Sequence, residues 1–264
     1  MNGPYKPGTP CWIDLMVPDQ QAALDFYCDL FGWQGEIGPA ETGGYSVCHL
    51  KGKPVAGIMK AMNPDGSTPD PMPPTVWTTY LATDSVDSTL KAATDAGASV
   101  MMDATDITDI GRMAVVKDPT GAVFGLWEPG TFYGAGIVNE HGALIWNELT
   151  TPDTDRAAAF YSAILPISPE ATTLEGAEGY TEFKVGGRGV AGMMDMSNLP
   201  PGVPPHWMPY FKVDDVDEIQ AAAVRGGATV LAPAFDMPAG RMAVLADPQG
   251  GGFSVIKEKA AVTP

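Results

Sequence analysis

Histidine and cysteine, the residues that most often build metal sites and disulfides, are scarce in this chain of 264 residues. The chain has three of each, and the cysteines, Cys11, Cys28 and Cys48, form no CxxC pair. An odd number of cysteines without paired spacing indicates neither a disulfide framework nor a zinc knuckle. We therefore expect small thiols that are buried or half-buried, and no bound cofactor.

Long apolar runs and positive charge are also in short supply. No stretch approaches the ~20 consecutive apolar residues of a membrane-spanning helix. Residues 1–10 lack a basic segment followed by an apolar run, so no signal peptide is predicted. The 15 Lys and Arg are outnumbered by 32 Asp and Glu, which gives a formal net charge of −17 and repels nucleic acid and anionic membranes. We expect a soluble, cytoplasmic protein that binds neither.

A long internal repeat is the main feature that the sequence does contain. Residues 12–15 (WIDL) return 134 positions later as residues 146–149 (WNEL), and the Phe-Tyr pair at 26–27 returns at 160–161 with the same offset. The echoes that follow keep their order: VAGIM at 55–59 with VAGMM at 190–194, Trp77 with Trp207, GRMAV at 111–115 and 240–244, and the D-P-x-G turns at 118–121 and 247–250. A period this long indicates a duplicated domain and not a solenoid.

Hydrophobic periodicity and turn residues divide each repeat into two similar modules. We predict helices over 20–31, from a cap at Asp84 or Ser85 to residue 96, over 154–164 and over 216–225. Strands precede and follow each helix, which makes the fold class α+β with two βαβββ modules in each repeat. The predicted boundaries are an N-terminal arm at 1–9, a first domain at 10–130, a linker at 131–142, a second domain at 143–258 and a tail at 259–264.

The paired βαβββ modules, the strand-opening h-x-D-L segments, the Phe-Tyr helices and the D-P-x-G turns together resemble the vicinal oxygen chelate superfamily. The resemblance covers residues 10–129 and 143–258. This superfamily includes glyoxalase I, extradiol dioxygenases, fosfomycin-resistance transferases and bleomycin-resistance proteins. More closely, the chain is similar to two-domain glyoxalase-like "hydroxylases" of actinobacteria, including a mycobacterial antigen type. The resemblance implies tandem glyoxalase-like domains, each a cup-shaped mixed β-sheet.

Metal-using members of this superfamily place ligands at three positions in each cup, and the resemblance carries these positions onto this chain. They fall on Trp12, Trp77 and Gly125 in the first domain and on Trp146, Trp207 and Ser254 in the second. Indole offers a cation no lone pair, and glycine has no side chain. A slip of one residue would add only His206. We therefore predict no metal site and no metal-dependent glyoxalase or dioxygenase chemistry.

With the metal positions lost, the cups are predicted to bind a hydrophobic or aromatic small molecule, such as a metabolite or an antibiotic. In the first domain, alternation groups Asp14 with Trp12 and Thr79 with Trp77, and Gly125 is expected to leave space beside Trp127. The equivalent set in the second domain is Trp146, Glu148, Trp207, Phe211 and Ser254. Paired indoles would stack on a flat ligand in a largely apolar pocket that holds one carboxylate.

Three interpretations remain open at this point. The first is a metal-free binding protein, either a monomer or a homodimer. The second is a metal-independent enzyme of secondary metabolism, an isomerase, cyclase or hydroxylase type, in which Asp14 or Glu148 is the general acid or base. The third is an interaction module whose cups are filled by their own side chains. The indoles would then be core filler, and the two carboxylates would bind backbone groups or Arg112 and Arg241.

Overall fold

The structure is a computed structural model that describes residues 3–63, 65–197 and 199–259. The first two residues of the predicted arm, and residues 260–264 of the predicted tail, lie outside the described residues. The first repeat contains strands β1 (Pro10–Val17), β2 (Ser46–Leu50), β3 (Lys53–Lys60), β4 (Val76–Ala82), β5 (Ser99–Ile107), β6 (Gly111–Lys117) and β7 (Val123–Pro129), with helix α1 (Gln20–Phe31) after β1 and α2 (Val86–Asp95) after β4. The strands form one sheet in the order β2-β3-β1-β4-β7-β6-β5.

The second repeat follows the same plan. It contains β8 (Leu144–Thr151), α3 (Thr154–Ile164), β9 (Ser168–Ala171), β10 (Thr181–Val185), β11 (Arg188–Asp195), β12 (His206–Lys212), α4 (Val216–Arg225), β13 (Thr229–Met237), β14 (Gly240–Ala246) and β15 (Gly252–Glu258). The sheet order is β13-β14-β15-β12-β8-β11-β10-β9. Parallel pairs such as β1–β3 and β12–β15 join antiparallel hairpins, so each sheet is mixed. These sheets and the four helices confirm the predicted α+β class.

The helices begin where their capping residues predict. Asp19, Ser85, Asp153 and Asp215 each accept a hydrogen bond from a backbone N–H in the first turn of the helix that follows. Such caps satisfy donors that the helix itself leaves unpaired. Of the two caps predicted for α2, Asp84 and Ser85, the structure has Ser85. None of the described helices combines the length and apolar character needed to span a membrane.

The first module of the first repeat has one strand fewer than the predicted βαβββ pattern. Where β9 precedes β10 in the second repeat, the first repeat has a single bridge between Gln34 and His49 and then a one-turn 3₁₀ helix at Ala40–Thr42. Residues 35–44 contain four glycines and a proline. Because glycine and proline both weaken strands, this segment turns and does not extend the sheet.

Side-chain packing joins modules from different repeats. The described residues divide into two compact units, the first drawn from residues 3–13, Thr78–Gly134 and Trp146–Met208, and the second from Asp14–Trp77, Ala135–Ile145 and residues 209–259. In the first unit α2 packs on α3, and in the second α1 packs on α4. The strands of each sheet come from one repeat, whereas each compact unit is assembled from both repeats, and the domain bounds at 10–130 and 143–258 stay a prediction.

A buried chain of hydrogen bonds ties a strand, a helix and a turn together in the first unit. Trp207 Nε1 donates to Tyr161 Oη at 2.9 Å, and Tyr161 donates to Asp118 Oδ2 at 2.8 Å. Burial and the neighbouring Asp118 carboxylate raise the pKa of Tyr161, so its hydroxyl stays protonated. The other oxygen of Asp118 accepts the backbone N–H groups of residues 120–122 and shapes the D-P-x-G turn. Helix α3 of one repeat is thereby fastened to the turn of the other.

The second unit repeats this chain with its own residues. Trp77 Nε1 donates to Tyr27 Oη at 3.2 Å, and Tyr27 donates to Asp247 Oδ2 at 2.9 Å. Burial and the Asp247 carboxylate likewise raise the pKa of Tyr27. Both chains are buried, so each polar group in them depends on the next for its hydrogen bond.

Replacing Tyr161 by Phe tests how much this chain stabilises the fold. The change leaves the Trp207 N–H and the Asp118 carboxylate buried with one partner fewer, and we expect a loss of about 1–3 kcal/mol in the free energy of unfolding, measured by urea denaturation. Tyr133→Phe is the matched control, because that ring is 43% exposed and the change is expected to cost less than ~0.5 kcal/mol. Equal stability of the two variants would contradict the assignment.

Candidate functional site

Exposure separates one tryptophan from the other five. The buried tryptophans are Trp12, Trp33, Trp77, Trp127 and Trp207. Trp146, by contrast, is half-buried. A flat ligand needs an indole face that the protein has not already covered, so Trp146 is the indole with surface to offer.

Trp77 and Trp207 do not face a ligand cup, although their sequence positions predicted that they would. The ring of Trp77 packs edge-to-face on Tyr27 of α1 at 5.3 Å, and that of Trp207 packs on Tyr161 of α3 at 5.5 Å. On β4 the alternate residue Leu81 lies in the hydrophobic core with residues of α2. Residues 77, 79 and 81 therefore point toward the helices, and the expected grouping of Trp77 with a ligand cup is corrected.

Thr79 and Phe211 also lie in the interior. Thr79 Oγ1 donates to Asn147 Oδ1 at 2.8 Å, within the first unit. Phe211 is fully buried and packs on Phe31 of α1 at 4.8 Å, within the second unit. Both side chains are therefore part of the packed interior, since Thr79 is hydrogen-bonded to Asn147 and Phe211 packs on Phe31.

Gly125 does not open the space that was expected beside Trp127. A Cβ atom on Gly125 would stand 2.1 Å from Cδ1 of Tyr80, so the tyrosine ring already covers the glycine. The two residues are partners across the parallel strands β4 and β7. The counterpart Ser254 pairs with Tyr210 across β12 and β15 and is fully buried. Within the described residues, Ser254 Oγ has no hydrogen-bond partner.

Trp146, Tyr180 and Glu148 form a hydrogen-bonded group on the second sheet. Trp146 Nε1 donates to Tyr180 Oη at 2.8 Å. Burial, then the charge of Glu148 and a hydrogen bond to it, raise the pKa of Tyr180. The phenol therefore stays protonated and donates to Glu148, a carboxylate that is only 7% exposed. The group offers one indole face beside a buried carboxylate acceptor.

A glycine on the neighbouring strand makes room for this group. Gly192 pairs with Glu148 across the parallel strands β8 and β11. A Cβ atom on Gly192 would stand 1.7 Å from Tyr180 Oη, so no other residue fits beneath the hydroxyl. Farther along β11, a Cβ on Gly189 would stand 3.4 Å from Cη2 of Trp146 and 3.2 Å from Oε2 of Glu182. The tryptophan and tyrosine thus lie across a floor of two glycines.

The first repeat carries the same carboxylate, tyrosine and glycine. Tyr45 Oη donates to Asp14 Oδ2 at 3.3 Å, and Asp14 pairs with Gly57 across β1 and β3. A Cβ on Gly57 would stand 1.9 Å from Tyr45 Oη. Both carboxylates were predicted from the sequence, whereas the two tyrosines were not. The signal was present, since Tyr45 and Tyr180 are separated by 135 residues, as are Gly57 and Gly192.

The two strand-opening arginines take other partners. Arg112 forms ion pairs with Asp87 and Asp106, and Arg241 pairs with Asp217 and Asp236. These aspartates are well exposed, and such pairs contribute little to stability. The alternative in which Arg112 or Arg241 neutralises Asp14 or Glu148 therefore gains no support from these contacts.

The residues at the superfamily's metal positions do not fit a divalent ion. Of the four indoles at those positions, Trp77, Trp146 and Trp207 donate a hydrogen bond through Nε1, and Trp12 is packed against Phe132. His206, one residue from Trp207, has Nδ1 2.9 Å from the carbonyl oxygen of Pro204. Burial lowers the pKa of His206. Across residues 3–63, 65–197 and 199–259, no group of three or more His, Cys, Asp or Glu is arranged to hold a metal.

Comparison with known proteins gives a family and several full-length relatives. The model of the Glyoxalase/Bleomycin resistance protein/Dioxygenase superfamily matches residues 11–126 and 143–255. The chain is 46% identical over 256 residues to "Putative glyoxylase CFP32" of Mycobacterium tuberculosis, covering 96% of each chain. It is 37% identical over 261 residues to "Anthracycline biosynthesis protein DnrV" of Streptomyces peucetius, covering 96% of this chain and 94% of the relative.

Solved structures share the fold at low sequence identity. The 2,2',3-trihydroxybiphenyl 1,2-dioxygenase of Sphingomonas wittichii superposes with a TM-score of 0.63 at 16% identity, covering 96% of this chain and 91% of that one. The Mn(II)-bound glyoxalase of Novosphingobium aromaticivorans superposes with a TM-score of 0.61 at 15% identity, covering 98% and 85%. At this identity the likeness concerns the fold and not the chemistry.

Replacing Gly192 by Ala tests the glycine floor under Tyr180. The added methyl group overlaps Tyr180 Oη, so the tyrosine must leave Glu148 and Trp146, and we expect a loss of about 1–3 kcal/mol in stability with a changed near-UV circular dichroism spectrum. Gly189→Ala on the same strand is the control, because its nearest neighbour is the end of a flexible glutamate. A Gly192→Ala protein as stable as the control, with an unchanged spectrum, would refute the packing described here.

Proposed function

The chain belongs to the Glyoxalase/Bleomycin resistance protein/Dioxygenase superfamily, and we propose that it is a metal-independent member that binds a hydrophobic, aromatic small molecule of secondary metabolism at Trp146. The observation that carries the proposal is the half-buried indole of Trp146, whose N–H is fixed by Tyr180 beside a buried carboxylate. The relatives named for anthracycline biosynthesis support a polycyclic aromatic ligand.

Aromatic contact with Trp146 would provide the main part of the affinity. An edge-to-face or offset ring pair contributes about 0.5–1.5 kcal/mol beyond the burial of apolar area. The N–H of Trp146 is already engaged, so the indole keeps one orientation and loses little freedom when a ligand arrives. Small-molecule sites of this kind are mainly apolar, with a few polar groups that fix orientation.

Glu148 and Tyr180 would orient the ligand through its polar substituents. A buried carboxylate accepts a hydrogen bond from a hydroxyl or ammonium group more strongly than a neutral acceptor does. Glu182, whose side chain is 27% exposed, approaches Gly189 together with the Trp146 ring and would add a second acceptor. We therefore propose a ligand that carries hydroxyl or cationic groups on an aromatic frame, as the repeated carboxylate at Asp14 also suggests.

Trp146→Ala tests the binding proposal. We expect it to weaken the binding of an anthracycline aglycone at least ~10-fold, which corresponds to about 1.4 kcal/mol, in isothermal titration calorimetry. Phe235→Ala removes an aromatic ring that is 42% exposed on β13 and serves as the control, with unchanged affinity expected. Binding that survives Trp146→Ala but is lost in the control would place the ligand elsewhere.

A second candidate function is a metal-independent enzyme, of isomerase, cyclase or hydroxylase type, that uses Glu148 or Asp14 as general acid or base. The observation that favours it is the pairing of a buried carboxylate with a protonated tyrosine in each repeat. A carboxylate can take a proton from carbon while a neighbouring phenol donates a hydrogen bond to the oxygen that gains charge. A binding protein needs the same groups only as hydrogen-bond partners.

Glu148→Gln separates the two functions, because an amide still accepts hydrogen bonds but cannot take a proton. If the protein is an enzyme, incorporation of deuterium from D₂O into an enolisable aromatic ketone, followed by mass spectrometry, should fall by ~10²-fold or more. Asp14→Asn is the parallel variant for the first repeat. If the protein only binds, the wild type incorporates no deuterium above the rate without protein, and Glu148→Gln lowers only the affinity, because a neutral amide accepts a hydrogen bond more weakly than a carboxylate.

A further inference from the structure

The indole that corresponds to Trp146 in the first repeat is covered by the chain itself. Trp12, 134 residues before Trp146, has the ring of Phe132 perpendicular to it with centroids 4.9 Å apart. The same phenylalanine packs on Trp127 at 5.9 Å and an interplanar angle of 82°. All three residues belong to the first compact unit. Phe132 therefore fills a position between two indoles.

Backbone hydrogen bonds hold Phe132 in this position. Its N–H donates to the carbonyl oxygen of Ile110 at 3.1 Å, and its own carbonyl oxygen accepts from Trp127 Nε1 at 3.0 Å. Phe132 itself is half-buried. The ring can thus be removed or replaced without breaking the bonds that anchor the segment.

The second repeat lacks a counterpart of this ring. Within the described residues, no aromatic ring packs against the ring of Trp146, although Tyr180 binds its N–H. Trp127 and its equivalent are separated by 129 residues, as are the GRMAV segments, and the same offset carries Trp127 to Ile256 and Phe132 to Ala261. Neither of these residues is aromatic. Trp146 therefore keeps the surface that Trp12 gives up to Phe132.

We propose that Phe132 occupies in the first repeat the position that the aromatic part of the ligand takes beside Trp146 in the second. The first repeat then holds a second aromatic-ring site that is plugged by the chain, and the protein binds one ligand per chain. The part of this inference that concerns Trp146 rests on the proposed function. The plugged site at Trp12 and Trp127 does not, because it is argued from the packing of Phe132.

The stoichiometry of binding tests this inference. With 2,6-dihydroxynaphthalene as the probe in equilibrium dialysis, we expect one molecule per chain for the wild type and two for Phe132→Ala, because loss of the ring opens a cleft between two indoles. Phe132→Tyr keeps the ring and is the matched control, with one molecule expected. An apolar site emptied by such a truncation accepts an aromatic molecule more readily than water.

Two further variants keep this inference apart from the proposed function. Trp146→Ala should bind no probe, and the double variant Phe132→Ala, Trp146→Ala should bind one molecule, at the opened site. A double variant that binds none overturns the plugged site, whatever the wild type does. A Trp146→Ala protein that still binds one molecule overturns the proposed function. The plugged site is then still tested by whether Phe132→Ala binds one molecule more than the wild type. Phe132→Leu, a milder truncation, is expected to give the same gain with weaker affinity if Phe132→Ala does not fold.

Discussion

In each compact unit, a tyrosine on the helix of one repeat donates a hydrogen bond to an aspartate in the turn of the other repeat. The packing of that helix and the geometry of that turn both depend on this bond. Tyr161 reaches Asp118 in the first unit, and Tyr27 reaches Asp247 in the second. The aspartate also accepts the backbone N–H groups of its own turn, so helix packing and turn geometry depend on one carboxylate. Because the groups are buried, leaving any of them unpaired would cost more than the bond itself contributes. Each repeat thus supplies half of a structure that the other completes.

Hydrogen bonds and ring packing together leave one indole less covered than the other five. Trp77 and Trp207 donate to the two tyrosines and are committed to the interior. Trp12 and Trp127 both pack edge-to-face on Phe132. Trp146 donates its N–H in the same way, but to a tyrosine at the sheet surface, and its ring stays half-buried. Two copies of one module have therefore diverged, one toward packing and one toward an open aromatic surface.

The sequence predicted the duplication, the superfamily and three of the four helices at their observed bounds, because hydrophobic periodicity and turn residues are local signals. It also singled out Asp14 and Glu148, since both follow a repeated tryptophan. It could not tell which side of the sheet Trp77 faces, because strand alternation fixes parity and not direction. Tyr45 and Tyr180 reach the carboxylates from loops, through contacts that no local pattern encodes. The packing of each helix against a helix of the other repeat was not predicted either, because both repeats carry nearly the same apolar pattern.

The most direct test of the Trp146 site is a ¹H–¹⁵N correlation spectrum of the tryptophan indoles, recorded while an aromatic ligand is added. The six tryptophans give six Nε1–H signals, and Trp146→Phe assigns one of them. The account predicts that the Trp146 signal shifts on addition of 2,6-dihydroxynaphthalene while those of the buried Trp77 and Trp207 stay in place. A titration in which Trp146 does not move, or in which the interior indoles move first, would contradict it.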